Sequence, residues 1–137
     1  RYSVVVVMGS CENVTQAKEI VAKLSDAVVL EGTAQGANAA LQAAVGYTQA
    51  PVPLSSLLAT DHVIAVVDTD GTTELACGSI GGVPDGQGAF TVGLAPVDDS
   101  GVAGVAYLAS RGPNATGISV FVVPEGLAPR PVLQPVG

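Results

Sequence analysis

Residues 62–80 read HVIAVVDTDGTTELACGSI, and this stretch decides the fold. It holds two runs of strand-forming residues, 62–68 and 73–80, on either side of a turn sequence. The Asp70-Gly71 step inside that turn favours a tight connection, because two-residue hairpin loops prefer Asp-Gly. We therefore predict an antiparallel β-hairpin near the centre of the chain.

Short strands separated by turn sequences continue on both sides of this hairpin. A β-branched run opens the chain, and Phe90, Val92 and Leu94 alternate along one face of a later strand. Many short strands at this spacing are typical of a sandwich or a barrel, and we predict an all-β fold: a single β-sandwich of about eight mostly antiparallel strands. The strands predicted directly from the pattern are residues 2–8, 62–68, 73–80, 88–95, 102–109 and 117–123.

Three segments need a separate interpretation. Thr15 can cap a helix with an apolar side, so local propensity favours helix over residues 16–25. Residues 39–52 fit either a strand or an alanine-rich helix. Residues 54–59 are expected to form one helical turn before the next strand.

The charge balance excludes several classes of partner. The chain has 137 residues, which fits a single domain. It carries 12 acidic and 5 basic residues, for a formal net charge of −7. This excess of negative charge argues against nucleic acid and anionic membrane surfaces, because both are bound through Lys and Arg. The apolar runs are far shorter than the roughly 20 residues of a membrane-spanning helix, so we do not expect membrane insertion.

The scarcity of charge points to contact with other protein copies. Charged residues make up only 12% of the chain, whereas hydrophobic residues reach 48%. The exterior must therefore be built largely from Ala, Val, Gly, Ser and Thr. Because large bare apolar patches are rare on monomers, we expect self-association. A heat-stable or glycan-coated monomer is the alternative.

Two cysteines and two N-glycosylation sequons indicate an exported protein. In such a protein Cys11 and Cys77 fit one disulfide that closes a long loop, and two buried free thiols are the alternative. Asn13 and Asn114 are the candidate glycosylation sites. The chain opens at Arg1 with a strand-like run, which fits a mature N-terminus after signal-peptide removal or a trimmed chain. We expect an extracellular or cell-surface location.

The sequence offers little for catalysis or metal binding. His62 is the one histidine, which excludes a multi-histidine copper or zinc site within one chain. No Gly-x-Ser-x-Gly motif accompanies Asp61-His62, so a strand-edge histidine is favoured over a catalytic triad. Asp68, Asp70 and Glu74 lack the full ligand series of a calcium loop, and a hairpin turn is favoured. We predict no enzymatic activity and no catalytic, cofactor-binding or metal-binding residues.

Residues 76–81, Ala-Cys-Gly-Ser-Ile-Gly, resemble a strand end of copper–zinc superoxide dismutases, whose cysteine forms the intrasubunit disulfide. A longer resemblance is to secreted bacterial dismutase-like or CHRD-like β-sandwich domains. Those domains combine an early cysteine segment with a Leu-x-x-Leu-Leu and His-x-Ile stretch and a late Gly-x-Ala-Tyr-Leu segment. The matching residues here are Gly9, Ser10, Cys11, Leu54, Leu57, Leu58, His62, Ile64, Cys77, Gly78, Ile80 and 104–108.

The resemblance implies an eight-stranded sandwich over residues 1–123 with a bridge between Cys11 and Cys77. It also implies that residues 18–30 form a strand instead of the helix that local propensity favours. Valine occupies the positions at which such domains tend to carry histidines, so the metal ligands have no counterparts and dismutase activity is not expected. These positions are Val5, Val7 and Val67.

The C-terminal residues 124–137, which we call the arm, differ from the rest of the chain. Their four prolines favour an extended polyproline-like backbone and exclude a central strand. We predict that the arm is held by its own domain or by a neighbouring copy. Residues 3–7 are predicted to offer a second contact, a strand edge that pairs with a neighbour. The apolar anchors of the arm are Leu127, Val132, Leu133 and Val136.

Two functions from different classes fit these expectations. The first is a non-enzymatic extracellular structural protein, the self-assembling subunit of a surface polymer or filament, whose partners are copies of itself. The second is a secreted monomeric or oligomeric ligand-binding module for a sugar, a small molecule or calcium. Neither function calls for a cofactor, and a degenerate dismutase-like enzyme is the least favoured interpretation.

Overall fold

The computed structural model describes residues 2–11, 20–29, 36, 43–68, 73–97 and 100–123. These residues form eight β-strands and one short helix, so the prediction of an all-β fold is confirmed. The predicted helix cap at Thr15, the turn at 69–72 and the arm lie outside the described residues. The elements are β1 (Tyr2–Met8), β2 (Ile20–Val29), β3 (Ala44–Ala50), α1 (Leu54–Ala59), β4 (His62–Val67), β5 (Glu74–Ser79), β6 (Phe90–Pro96), β7 (Ala103–Ser110) and β8 (Thr116–Val123).

The strands are all antiparallel and close into a barrel in the order β1-β2-β3-β8-β7-β6-β5-β4. The expected β-sandwich is therefore wrong, although the number and direction of the strands agree with it. Closure depends on two short seams, since among the described residues β2 pairs with β3, and β5 with β6, through two residue pairs each. These seams join two facing layers into one continuous wall.

β1 lies inside this wall. Val5 is paired with Lys23 of β2 on one side and with Ala65 of β4 on the other. The predicted free edge at residues 3–7 is therefore wrong, because both sides of the strand are already hydrogen-bonded. Closure of a barrel removes the edges that an open sheet would present.

The segment after residue 20 is a strand. The helix that local propensity favours is wrong over residues 20–25, where the strand implied by the resemblance is observed. Leu24 and Ala27 are buried in the barrel core, and Leu24 is paired with Val4 of β1. Tertiary pairing has overridden local propensity here. Residues 44–50 of the second ambiguous segment are also a strand.

The core fills the barrel from one wall to the other. Phe90, Val92 and Leu94 point inward, as the alternation in β6 predicts. All six residues of β4 are buried, because its outer face is covered as well as its inner one. Val63 and Ala65 belong to a second apolar cluster outside the barrel, together with Val5, Val7 and Cys77.

The two ends of the barrel differ. The predicted helical turn is confirmed as α1, which covers one end and buries Leu54 and Leu57 against the core. We call this end the helix pole. Thr116, at the start of β8, donates a 2.7 Å hydrogen bond to the carbonyl oxygen of Val52 and fixes the approach to α1. β8 ends at Val123, at the opposite end of the barrel, which we call the arm pole.

Candidate functional site

The structure joins Cys11 and Cys77 in a disulfide, with the sulfur atoms 2.10 Å apart and the Cα atoms 5.8 Å apart. Cys77 is buried in β5, and Cys11 packs against the outer apolar cluster that contains it. This pairing agrees with the one that the dismutase resemblance implies. A disulfide is compatible with an oxidising extracellular environment.

His62 lies within the barrel wall. It begins β4, is buried, and its Nδ1 lies 3.0 Å from the carbonyl oxygen of Thr60. Of the calcium-like set Asp68, Asp70 and Glu74, the middle residue Asp70 lies outside the described residues. Among the residues that the structure describes, no group of three or more His, Cys, Asp or Glu is placed to hold a metal ion.

Three of the five aromatic side chains are exposed on one side of the barrel. Tyr47 on β3 and Tyr107 on β7 are both paired with Ser119 of the intervening β8, so the three residues form one row across the outer surface. Phe121 lies one pleat further along β8. We call the surface of Tyr47, Tyr107 and Phe121 the aromatic face. Their side chains are 50%, 38% and 42% exposed.

Charged groups lie beside both tyrosines of the aromatic face. Arg111 donates from Nε to the Tyr47 hydroxyl at 3.4 Å, and this bond, together with the charge interaction with Tyr47, raises the pKa of Arg111. Tyr107 donates from its hydroxyl to Oδ2 of Asp85 at 3.5 Å. The face therefore presents flat apolar rings flanked by one cation and one anion.

Gly117 makes room for this arrangement. A Cβ atom at this position would lie 2.7 Å from the Tyr47 hydroxyl and 3.1 Å from Cγ of Arg111. The missing side chain lets the tip of Tyr47 and the stem of Arg111 lie over the backbone of β8. Both side chains are flexible at their ends, so a larger residue here would displace them while leaving the barrel wall intact.

A second surface lies at the helix pole. It is an open groove of about 390 Å³ between α1, the loop before β6 and the turn between β7 and β8. Its lining is mostly apolar and includes three prolines. We call it the proline groove, and its principal residues are Pro53, Leu58, Pro84, Phe90 and Pro113.

Asp85 shapes one rim of the proline groove. Its Oδ1 accepts hydrogen bonds from the backbone N–H groups of Gln87 at 2.8 Å and Ala89 at 3.0 Å. These bonds, followed by weaker contributions from Tyr107 and the Gly88 N–H, lower the pKa of the Asp85 carboxyl. The carboxylate therefore holds the loop that carries Pro84, and it contacts the aromatic face at the same time.

The remaining predicted residues fall in different places. Asn114 is exposed in the turn between β7 and β8, where a glycan would be accessible to solvent. Asn13 and the four arm anchors lie outside the described residues, so these assignments stay predictions. Sequence analysis missed the aromatic face. The sequence signal for this face was the alternation of polar and aromatic residues along β3. That segment fitted either a strand or a helix, so the alternation could not be interpreted.

The chain combines a closed, disulfide-linked, all-β barrel with two apolar surfaces, one on its side and one at its helix pole. In the part of the chain that the structure describes, no helix has the length and hydropathy to cross a membrane. No protein-family model, curated protein or solved structure matches the chain. Its function must therefore be argued from these surfaces.

Proposed function

We propose that this protein is a non-enzymatic extracellular structural subunit that assembles with copies of itself into a polymer or filament. The observation that carries the proposal is the apolar exterior. Seven large hydrophobic side chains are exposed among the described residues, and Val83 is 92% exposed. Charged residues make up only 12% of the chain, so much of the exterior is uncharged surface that can pack against a second copy.

The extracellular location is supported by three further features. The disulfide between Cys11 and Cys77 suits an oxidising compartment. The sequon at Asn114 lies on an exposed turn. The resemblance to secreted dismutase-like β domains, with valine in place of the metal histidines, suits a fold that is used as a scaffold and not as an enzyme.

The arm supplies the contact in this proposal, since barrel closure removes the edge at β1. Its prolines favour an extended backbone before docking, which lowers the entropic cost of binding. Its anchors Leu127, Val132, Leu133 and Val136 are apolar and occur at irregular spacing. All eight strands end at or before Val123, so removal of residues 125–137 leaves the hydrogen-bonded wall complete.

The test compares the full chain with a variant that lacks residues 125–137. Sedimentation velocity over a range of concentrations should show assemblies for the full chain and a monomer for the truncated one. Circular dichroism and the intact mass serve as controls that the truncated protein is folded and disulfide-bonded. A full chain that stays monomeric at high concentration, or a truncated chain that assembles normally, would contradict the proposal.

The aromatic face favours a second candidate function, the binding of an extended glycan. Tyr47 and Tyr107 lie two strands apart, so their backbones are about 10 Å from each other at ~4.8 Å per strand. Two rings at this separation can stack on two sugars of one extended chain, with Arg111 and Asp85 as hydrogen-bonding groups at the margins. Under this proposal the protein is a secreted sugar-binding module.

Titration with soluble β-linked oligosaccharides tests the second candidate through tyrosine fluorescence, which is usable because the chain has no Trp. Tyr107→Ala should weaken binding at least about tenfold if the ring is an anchor of the site. Thr91→Ala is the matched control, because Thr91 is exposed on β6 and paired directly with Tyr107. Equal binding by both variants would exclude the aromatic face as a sugar site.

A further inference from the structure

The proline groove and the start of the arm lie at opposite ends of the barrel. The groove is built at the helix pole, from α1, from Phe90 at the start of β6 and from Pro113 in the turn that leads into β8. The chain then runs the whole length of β8 and leaves the wall at Val123, where β8 is paired with Ala103 at the start of β7. The arm therefore begins at the arm pole, as far from the groove as the barrel allows.

We infer that the proline groove is the acceptor for residues 124–137 of a second copy, which joins molecules head to tail. This inference rests on the proposed function, in which the arm mediates self-assembly, and it adds the site to which the arm binds. Contact between an arm and a groove on different surfaces is heterologous, so it propagates into rings or open filaments instead of stopping at a dimer.

The chemistry of the groove suits this occupant. Pro53, Pro84 and Pro113 give it rigid apolar walls, and Leu58 on α1 is 41% exposed beside them. None of the residues that line it is charged. Proline-rich segments in an extended conformation dock in grooves lined by aromatic side chains, and Phe90 is the aromatic residue of this lining. The arm is also rich in Pro, Leu and Val, and it has a single acidic and a single basic residue.

Barrel closure strengthens the assignment. An extended segment commonly binds a β protein by adding a strand to an exposed edge. Here β1 and β4 are paired with each other and with β2 and β5, and the other strands are paired on both sides in the same way. No described strand is terminal in this closed order, so we place the arm in a groove, where side chains make the contact, and not on the end of a sheet.

The direction in which β8 ends favours a second copy over the same molecule. β8 spans eight residues, or about 26 Å at ~3.3 Å per residue. To reach its own groove the arm would have to reverse at the arm pole and cover the full length of the barrel. A neighbour stacked along the barrel axis presents its helix pole directly to the arm that leaves Val123.

A charge placed in the groove is the first test. Leu58→Glu introduces an unpaired carboxylate where an apolar anchor would dock, and it should raise the concentration needed for assembly at least about tenfold. Thr91→Glu is the control for the added charge, since Thr91 is exposed on β6 and does not line the groove. The control should assemble as the wild type does. The inference is overturned if Leu58→Glu assembles normally, or if Thr91→Glu fails to assemble to the same extent.

Mixing two defective variants is the second test. The variant without residues 125–137 keeps the groove but has no arm, and the Leu58→Glu variant keeps the arm but has a blocked groove. Each should be monomeric alone, whereas an equimolar mixture should form a one-to-one heterodimer that grows no further, as measured by native mass spectrometry. A mixture that stays monomeric, or one in which the arm remains bound to its own barrel, overturns the inference.

These outcomes separate the inference from the proposed function. If the full chain assembles and the truncated chain does not, the arm mediates assembly. If Leu58→Glu nevertheless assembles like the wild type, the arm binds elsewhere, and the acceptor assignment alone is wrong. If the full chain does not assemble at all, the proposed function fails together with the inference.

Discussion

Gly78 has less room for a side chain than any other glycine in the strands that the structure describes. It lies in β5 one residue after the disulfide, at the seam where β5 meets β6. A Cβ atom there would collide with the backbone carbonyl of Gly93 and would lie 2.9 Å from side-chain atoms of both Val92 and Leu94. Because a carbonyl oxygen of the wall cannot rotate away as a side chain can, only glycine fits.

We predict that Gly78→Ala lowers the free energy of unfolding by about 1–3 kcal/mol, the usual cost of overpacking a filled interior. Urea denaturation followed by circular dichroism measures the loss. Gly93→Ala is the matched control, since a Cβ atom at Gly93 would meet nothing within 4 Å. Equal stability of the two variants would show that the seam is looser than this packing requires.

Asp85 connects the two candidate surfaces through one carboxylate. Its pKa is lowered by hydrogen bonds from the N–H groups of Ala89 and Gln87. A folded-state pKa below the ordinary value of 3.8 means that the carboxylate stabilises the fold above that value. The stabilisation is lost as the pH falls through the lowered folded-state pKa.

We predict that Asp85→Ala lowers Tm at neutral pH, because two backbone N–H groups lose their acceptor. Asp85→Asn retains an acceptor oxygen without the charge, so it should fall between the wild type and Asp85→Ala. Differential scanning calorimetry from neutral to strongly acidic pH should show that the gap between wild type and Asp85→Asn closes as the carboxylate protonates. A gap that is independent of pH would show that the charge contributes nothing.

At the scale of elements, the sequence predicted correctly the strands and the helix whose residue pattern is formed by neighbouring residues. The hairpin of β4 and β5, the inward side chains of β6 and the turn of α1 are all confirmed. β2 was different, because Thr15 and the residues after it favour a helix when taken alone. Its strand is stabilised by pairing with β1 and β3. Both partners lie outside the short window of residues that sets the local helix propensity.

Thr116 links two elements that are distant in the chain. Its side chain is fully buried, and its hydroxyl donates to the carbonyl oxygen of Val52, one residue before Pro53, the N-cap of α1. The bond holds the helix and one wall of the proline groove against the start of β8. Thr116 is also the third residue of the sequon at Asn114, so its hydroxyl is inaccessible once the protein has folded.

We predict that Thr116→Val lowers the free energy of unfolding by about 1–2 kcal/mol, since a buried carbonyl loses its donor. Thr116→Ser is the control that restores the hydroxyl and keeps the sequon. Both should be prepared in a host that does not glycosylate and compared by urea denaturation. If Thr116→Val proves as stable as wild type, the bond to Val52 does not anchor α1.

At the scale of the whole molecule, closure of the barrel could not be predicted from the sequence. The sandwich and the barrel share the same strands and differ only in two seams of two residue pairs each. The hydrophobic pattern of a strand does not show whether its last two residues pair with a further strand or end the sheet. The aromatic face was missed for the same reason, because Tyr47 and Tyr107 become neighbours only through the register of β8.

The disulfide acts on the molecule as a whole, because it links Cys11, three residues after the end of β1, to Cys77 within β5 across a sequence separation of 66. We predict that the double variant Cys11→Ser, Cys77→Ser loses about 4 kcal/mol of unfolding free energy on the chain-entropy model, since the unfolded chain regains the freedom of a long loop. The folded barrel should change little, because β5 keeps its pairing with β4 through main-chain hydrogen bonds. Urea denaturation of the variant, and of the wild type with and without reductant, measures the effect. Native protein should show no alkylatable thiol before reduction and two afterwards, and two reactive thiols without reductant would contradict the bond itself.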